Sequence, residues 1–374
     1  MKRCFALLLT LLLIPLPARA ATLTLSAESA LLMEKSTGTV LYAQNEHEQR
    51  QPASVTKIMT LLLVMEAVDR GELSLDETVT ASAYAASMGG SQIYLKEGEQ
   101  MTVQELLKAV CVASGNDAAV ALAEHHAGRA DAFVERMNQR AQELGMNDTC
   151  FRNCTGLPAE GHLTSAYDIA LMSRELILHH GAIREYTTIW MDSLRGGSFG
   201  LSNTNRLIRF YQGATGLKTG STDTARYCIS ATAERDGMEL IAVVLKAPTS
   251  TERFEDAKVL LNYGFAAYAL TTVTPESPLP ALPVTRGEQA EVALTLPDAP
   301  VLLQKGQVSK LRQELTLTEA LEAPVAAGQQ VGTLRLLADG ETAAELPVCA
   351  AESVARLSFS TQLLRLLRFA LYAR

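Results

Sequence analysis

Ser54 and Lys57 stand three residues apart in Pro52-Ala53-Ser54-Val55-Thr56-Lys57-Ile58-Met59-Thr60, at the head of an apolar run. A serine hydroxyl is a weak nucleophile until a neighbouring base takes its proton, and a lysine amine one helical turn away is placed to be that base. The geometry requires residues 54–69 to be helical, because positions i and i+3 then share a face. It also requires the amine to be neutral part of the time, since an ammonium accepts no proton. Burial and a second nearby cation would both lower its proton affinity. Alone, the S-x-x-K pattern is common and carries little weight. Two further polar clusters add to it: Ser114-Gly115-Asn116, and Lys218-Thr219-Gly220.

The elements that must position these groups follow from apolar period and caps. Residues 58–68 are apolar on nearly every side, which places that helix in a core, and Gly71 is a suitable stop. Before it, residues 30–34 and 38–42 are two short apolar runs joined by a turn, the pattern of a hairpin. Residues 75–79 read as extended and 81–100 as loop. Thr102 and Glu105 form a capping box, so a helix should run through Val110. Ser114 to Asn116 then falls between that helix and another over 118–126. Residues 131–144 and 165–179 are amphipathic helices. Lys218-Thr219-Gly220 is expected at the start of a strand, followed by strands over 226–233 and 238–245 and a closing helix over 252–263. Strands at both ends with helices between predict an α+β domain, helices packed on an antiparallel sheet.

The chain has 374 residues, 48% hydrophobic and 20% charged, as expected of a folded protein with one large core or two. Residues 1–20 combine Lys2-Arg3, an apolar stretch and Ala18-Arg19-Ala20, the signature of an export signal. Removing Lys2, Arg3 and Arg19 with it leaves 30 basic side chains against 41 acidic, so nucleic acid is not an expected partner. The composition changes at Thr274, after which Pro275, Pro278, Pro280 and Pro283 mark a linker. The expected division is a catalytic domain over 21–272, a small all-β domain over 273–349, and an amphipathic segment over 350–374. In that last segment Phe359, Leu363, Leu364, Leu366, Leu367, Ala370 and Leu371 share one helical face. Thr361, Gln362, Arg365 and Arg368 take the other, and Phe369 breaks the pattern. Such a basic helix suits the membrane interface and is too short and charged to span it.

Five cysteines follow the export segment. Cys150 and Cys154 are close enough in sequence to pair, and Cys111 and Cys228 read as buried thiols. The six histidines show no metal-ligand spacing and read as surface residues, so neither a metal nor another cofactor is expected.

Taken together, S-x-x-K, S-x-N and K-T-G in this order resemble the catalytic set of class A β-lactamases and penicillin-binding proteins. The segments 52–60, 113–118 and 216–222, with 203–207 and 260–265, are similar to low-molecular-mass penicillin-binding proteins that act as serine D-alanyl-D-alanine carboxypeptidases. The resemblance implies a penicilloyl-serine transferase fold, peptidoglycan stem peptides ending in D-Ala-D-Ala as substrate, and β-lactam antibiotics as covalent inhibitors. It implies that Ser54 is the acylated nucleophile and Lys57 its base, with Lys218 the cation that lowers its proton affinity. Ser114 and Asn116 would complete the proton path and hold the substrate amide. Lys218, Thr219 and Arg253 would bind the terminal carboxylate, Gly220 would let the substrate backbone approach, and the N–H groups of Ser54 and Ser221 would form the oxyanion hole. A plain surface ion pair is the other reading of Arg253. The implied location is the outer face of the cytoplasmic membrane or the cell-wall space. Two positions depart from the family pattern: Thr215, where an acid is usual, and Arg226, where a glycine is usual.

Three other readings use the same motifs. A β-lactamase would need an efficient deacylating water, for which Glu160 is the available carboxylate. A penicillin-binding sensor or wall-binding module would acylate without turnover. A cross-linking transpeptidase is disfavoured by the lack of a large N-terminal extension.

Overall fold

The computed structural model describes residues 23–296, 300–308 and 310–372, so the expected export signal lies outside the described residues. Strand β1 (Ser29–Glu34) forms the expected hairpin with β2 (Val40–Gln44), with a bulge at Leu32/Met33. Three strands from the far end of the domain join them: β3 (Ala214–Thr222), β4 (Arg226–Arg235) and β5 (Met238–Ala247). The sheet order is β2-β1-β5-β4-β3, antiparallel throughout. Lys218 lies in the middle of β3, not at its start, because Ala214 and Gly216 already pair with Ala233 and Thr232.

Strand side chains alternate between faces, and each face has its own core. Ile241, Val243 and Leu245 of β5 enter one core, while Leu240, Ala242 and Val244 enter the other. This explains why β5 is apolar throughout: it is covered on both sides. The first core holds α1 (Lys57–Asp69), whose residues Ile58 to Ala67 are all buried, as its all-round apolarity predicts. Gly71, at φ +70°, ends that helix. The longer helices packed into the same core are α2 (Val103–Lys108), α3 (Asn116–Ala127), α4 (Ala130–Glu143) and α5 (Ala166–His179). On the second face lies α6 (Ser250–Ala267), with Phe254, Ala257, Leu260, Leu261 and Phe265 inward.

The Thr102–Glu105 capping box is present, but the predicted α-helix changes character after Lys108. Residues Ala109–Ala113 form a π turn that ends on Ser114 with a left-handed backbone, φ +63°. The extended stretch expected at 75–79 is a short strand, Thr78–Thr80, paired with Gln100–Thr102.

Beyond α6, Tyr268–Thr272 pairs with Pro300–Gln304 across the expected boundary at residue 272. A four-stranded sheet (Leu294–Thr295, Glu341–Ala350, Gln330–Ala338, Arg312–Leu317) and a three-stranded one (Glu291–Val292, Leu282–Thr285, Leu321–Glu322) enclose a core of side chains such as Val292, Leu334 and Val348. Pairing continues to Val354 and Arg356, so the final helix, α7 (Phe359–Tyr372), begins later than residue 350. Its Phe359, Leu363, Leu364, Leu367 and Leu371 are exposed. Among the described residues no helix is long and apolar enough to cross a membrane.

Candidate active site

Ser54 lies in a 3-10 turn, Ala53–Thr56, that runs into α1. Ala53 has φ +49°, a conformation that costs a non-glycine residue about 1–3 kcal/mol and marks a position held by its surroundings. The surroundings are two glycines. A Cβ on Gly156 would lie 1.8 Å from the Ala53 carbonyl oxygen, and one on Gly220 would lie 2.8 Å from the Pro52 oxygen and from the Ser54 nitrogen. Gly220 was expected to make room for substrate. Its nearer constraint is the serine turn itself, which packs against β3 where a side chain would stand.

Lys57 is fully buried. Its Nζ donates to Ser54 Oγ at 3.0 Å, to Asn116 Oδ1 at 2.6 Å and to the Thr155 carbonyl at 2.7 Å. Burial holds the amine well below the ordinary lysine range; the Lys218 charge adds to this, and Cys154 and Asp117 partly oppose it. Asn116 spends one N–H on the Gly89 carbonyl at 2.6 Å, leaving a second to donate. Ser114, delivered by the π turn, has a buried hydroxyl with no protein partner.

Lys218 is also fully buried and donates to the Thr219 carbonyl at 3.0 Å. Burial is the main cause that pushes its amine down to about 7, opposed by Cys111 and aided by the Arg253 charge. The Thr219 hydroxyl donates to Thr204 Oγ1 at 2.7 Å, and the Thr204 N–H donates to the Val112 carbonyl at 3.1 Å. Thr204 thereby ties the K-T-G strand to the turn that presents Ser114. Arg253 is buried, not a surface ion pair: it donates to the Gly220 and Cys228 carbonyls at 3.2 and 3.4 Å and to Ser250 Oγ at 3.1 Å. Among the described residues no carboxylate pairs with it. Burial lowers its guanidinium to about 10.

These groups meet in a cleft of about 720 Å³. Ser54, Ser114, Thr219, Gly220, Ser221 and Arg253 line it, with Lys57, Asn116 and Lys218 buried behind that surface. The profile of the D-alanyl-D-alanine carboxypeptidase family matches residues 17–249, which carry every one of these residues except Arg253. The chain belongs to that family. A second profile, the C-terminal domain of penicillin-binding protein 5, matches residues 274–356. The chain is 44% identical over 353 residues to the D-alanyl-D-alanine carboxypeptidase DacF of Bacillus subtilis, covering 93% of this chain and 90% of the relative. To DacC of Escherichia coli it is 35% identical, covering 88% of this chain and 85% of that one. A solved structure of penicillin-binding protein 5 from Haemophilus influenzae superposes with a TM-score of 0.82 at 29% identity, covering 90% of this chain and all of that one. Penicillin-binding protein D2 of Listeria monocytogenes, solved in its ampicillin-bound form, gives a TM-score of 0.57 at 36% identity over 65% of this chain and 99% of its own.

Several details of this carboxypeptidase escaped the sequence. His162 is buried, not on the surface. The Arg152 N–H donates to its Nδ1 at 3.1 Å, so its proton sits on Nε2, 2.8 Å from Thr56 Oγ1. Cys150 and Cys154 are free thiols and not a pair, whereas Cys111 and Cys228 are the buried free thiols expected. Glu160 is exposed and outside the cleft. The Thr215 hydroxyl donates to the Glu239 carboxylate at 2.7 Å and lies 2.8 Å from Thr232 Oγ1. Arg226 has φ +55°, a left-handed backbone that the family's usual glycine adopts more cheaply.

Proposed function

We propose that the protein removes the terminal D-alanine from peptidoglycan stem peptides ending in D-Ala-D-Ala through an ester on Ser54, and that β-lactams acylate the same serine. The observation that carries this reading is the buried amine of Lys57, 3.0 Å from Ser54 Oγ. Held below its usual range by burial, that amine takes the serine proton as the hydroxyl attacks the carbonyl before the last residue. The N–H groups of Ser54 and Ser221 stabilise the oxyanion. Ser114, whose hydroxyl lacks a protein partner, relays the proton to the departing amine, and Asn116 uses its spare N–H on the substrate amide. Lys218, Thr219 and Arg253 hold the terminal carboxylate, whose charge favours the protonated form of Lys218. Water then cleaves the ester.

In the same reading the chain divides into a catalytic domain (21–272), a small all-β domain that runs past the expected residue 349 to 356, and a C-terminal helical segment (357–374). Export places the enzyme at the outer face of the cytoplasmic membrane, with the exposed apolar side chains of α7 in the interface. Co-sedimentation with anionic vesicles tests this: binding unchanged by removal of residues 357–374 rules it out.

The decisive experiment measures D-alanine released from a peptide ending in D-Ala-D-Ala by residues 21–374 and by Ser54→Ala. Release by the wild type alone is expected. Acylation by a labelled penicillin without peptide hydrolysis would instead make the protein a sensor, and rapid release of the penicillin adduct would make it a β-lactamase.

A further inference from the structure

One wall of the cleft is aromatic and takes no part in the chemistry described above. Trp190 and Phe210 meet edge to face with ring centroids 5.9 Å apart, and Arg209 stacks over them at 5.7 and 5.6 Å. Phe210 is 69% exposed at the cleft, and the buried indole N–H of Trp190 has no protein partner. The wall is fastened to the K-T-G strand: the Asn203 N–H donates to the Trp190 carbonyl at 2.9 Å, and neighbouring Thr204 holds the Thr219 hydroxyl. Arg206 lines the same end of the cleft, near enough to Arg253 for its charge to act on that guanidinium.

A substrate's last residue carries its carboxylate and its side chain on one carbon. Thr219 and the cations Arg253 and Arg206, which would draw that carboxylate, line the same cleft as Trp190 and Phe210, so the aromatic wall is within the space open to the side chain of that residue. The methyl group of D-alanine leaves most of such a wall wet. The glycan and the earlier residues of the peptide lie on the other side of the scissile bond.

We propose that Trp190 and Phe210 form a leaving-residue subsite for a terminal D-amino acid with an aromatic side chain, so that the enzyme also hydrolyses D-Ala-D-Phe ends. The inference rests on the assignment of Ser54 and the carboxylate site above. The reaction is the same one. The Ser54 oxygen bonds to the penultimate carbonyl carbon, the C–N bond breaks, the serine proton leaves on the amine of free D-phenylalanine, and water hydrolyses the ester.

The test compares kcat/KM for matched peptides ending in D-Ala-D-Ala and D-Ala-D-Phe, in the wild type, Phe210→Ala and Phe210→Tyr, with labelled-penicillin acylation reporting the fold. The D-Phe to D-Ala ratio is expected to fall between about twofold and tenfold in Phe210→Ala, the worth of an aromatic contact, and to recover in Phe210→Tyr. A wild type that cleaves D-Ala-D-Ala but disfavours D-Ala-D-Phe by more than about a hundredfold overturns the subsite and leaves the reaction standing. An equal loss on both peptides also overturns it, since the wall would then touch a shared part of the substrate. Failure on D-Ala-D-Ala itself overturns the proposed function.

Discussion

The sheet-and-helix region and the β-rich region after it solve the problem of polar groups in opposite ways. Among the described residues every buried polar or charged side chain lies between Ser29 and Asp256, including Lys57, Lys218 and Arg253. The core of the later region is apolar, and its ion pairs, such as Arg286–Glu322 and Lys310–Asp339, sit in solvent. Burying an amine without a carboxylate is costly, and the expected response is a lowered proton affinity. Lys57 and Lys218 both respond so. The difference teaches where to look for chemistry: the first region accepts a stability cost that buys reactive groups, and the second accepts none.

Removing the amine tests that contrast most severely. Lys57→Met is expected to cut D-alanine release and penicillin acylation by roughly 10⁴-fold or more, as loss of an activating base does. Stability should change by no more than about 1–3 kcal/mol, because an apolar side chain replaces a desolvated amine but leaves the buried Asn116 Oδ1 and the Thr155 carbonyl without its N–H groups. The mirror experiment is Leu334→Ala in the second core, where Leu334 is 2% exposed. It should cost about 2–5 kcal/mol in denaturant unfolding of that region and leave release per folded molecule unchanged. If Lys57→Met lost stability and kept its rate, the buried lysine would be structural.

Acid should separate the regions next. All six histidines lie in residues 47–180, and buried His162 is lowered to about 4, chiefly by burial. Between that value and an ordinary histidine pKa near 6.5, the unfolded chain binds a proton that the folded chain does not. Stability from this site is therefore complete above about 6.5 and lost as pH falls toward 4, up to about 3 kcal/mol. Urea unfolding at pH 7 and pH 4.5 should show the loss in wild type and a shallower one in His162→Gln. Equal slopes would remove His162 from the account.

The site was legible wherever local spacing set it. Ser54 and Lys57 are one turn apart, Thr102 and Glu105 cap a helix, and Gly71 stops one; such relations are written within a few residues. The partners that complete the site were not. Lys57 donates to a backbone carbonyl at Thr155, and any residue type supplies a carbonyl. Thr204 joins Thr219 only because β3 and the π turn come together in space. His162 lacked metal spacing, and spacing says nothing about burial under Thr56. The π turn itself has no sequence signal as clear as a cap, although Gly115 after Ser114 marks the chain's change of direction.

The smallest expected effect completes the comparison. Arg335 and Glu345 face each other across the second region's sheet, with a 2.8 Å contact between side chains that are each about half exposed. Water competes for both charges and salt screens them, so such a pair contributes about 0–1 kcal/mol. Arg335→Ala should shift the urea midpoint within that limit, with the shift vanishing in 1 M salt and D-alanine release untouched. Arg140 makes a sharper partner for the test. It bridges Glu66 and Glu175 at 2.8 and 2.6 Å, on a guanidinium that is 22% exposed, with Glu66 nearly buried at 11%. Arg140→Ala leaves the nearly buried Glu66 carboxylate with only the longer 3.8 Å contact to Arg70, so it should cost more than Arg335→Ala and retain its cost in salt. Equal costs for the two would mean that the first region's ion pairs are as loosely held as the second's, and the contrast would then rest on the buried lysines alone.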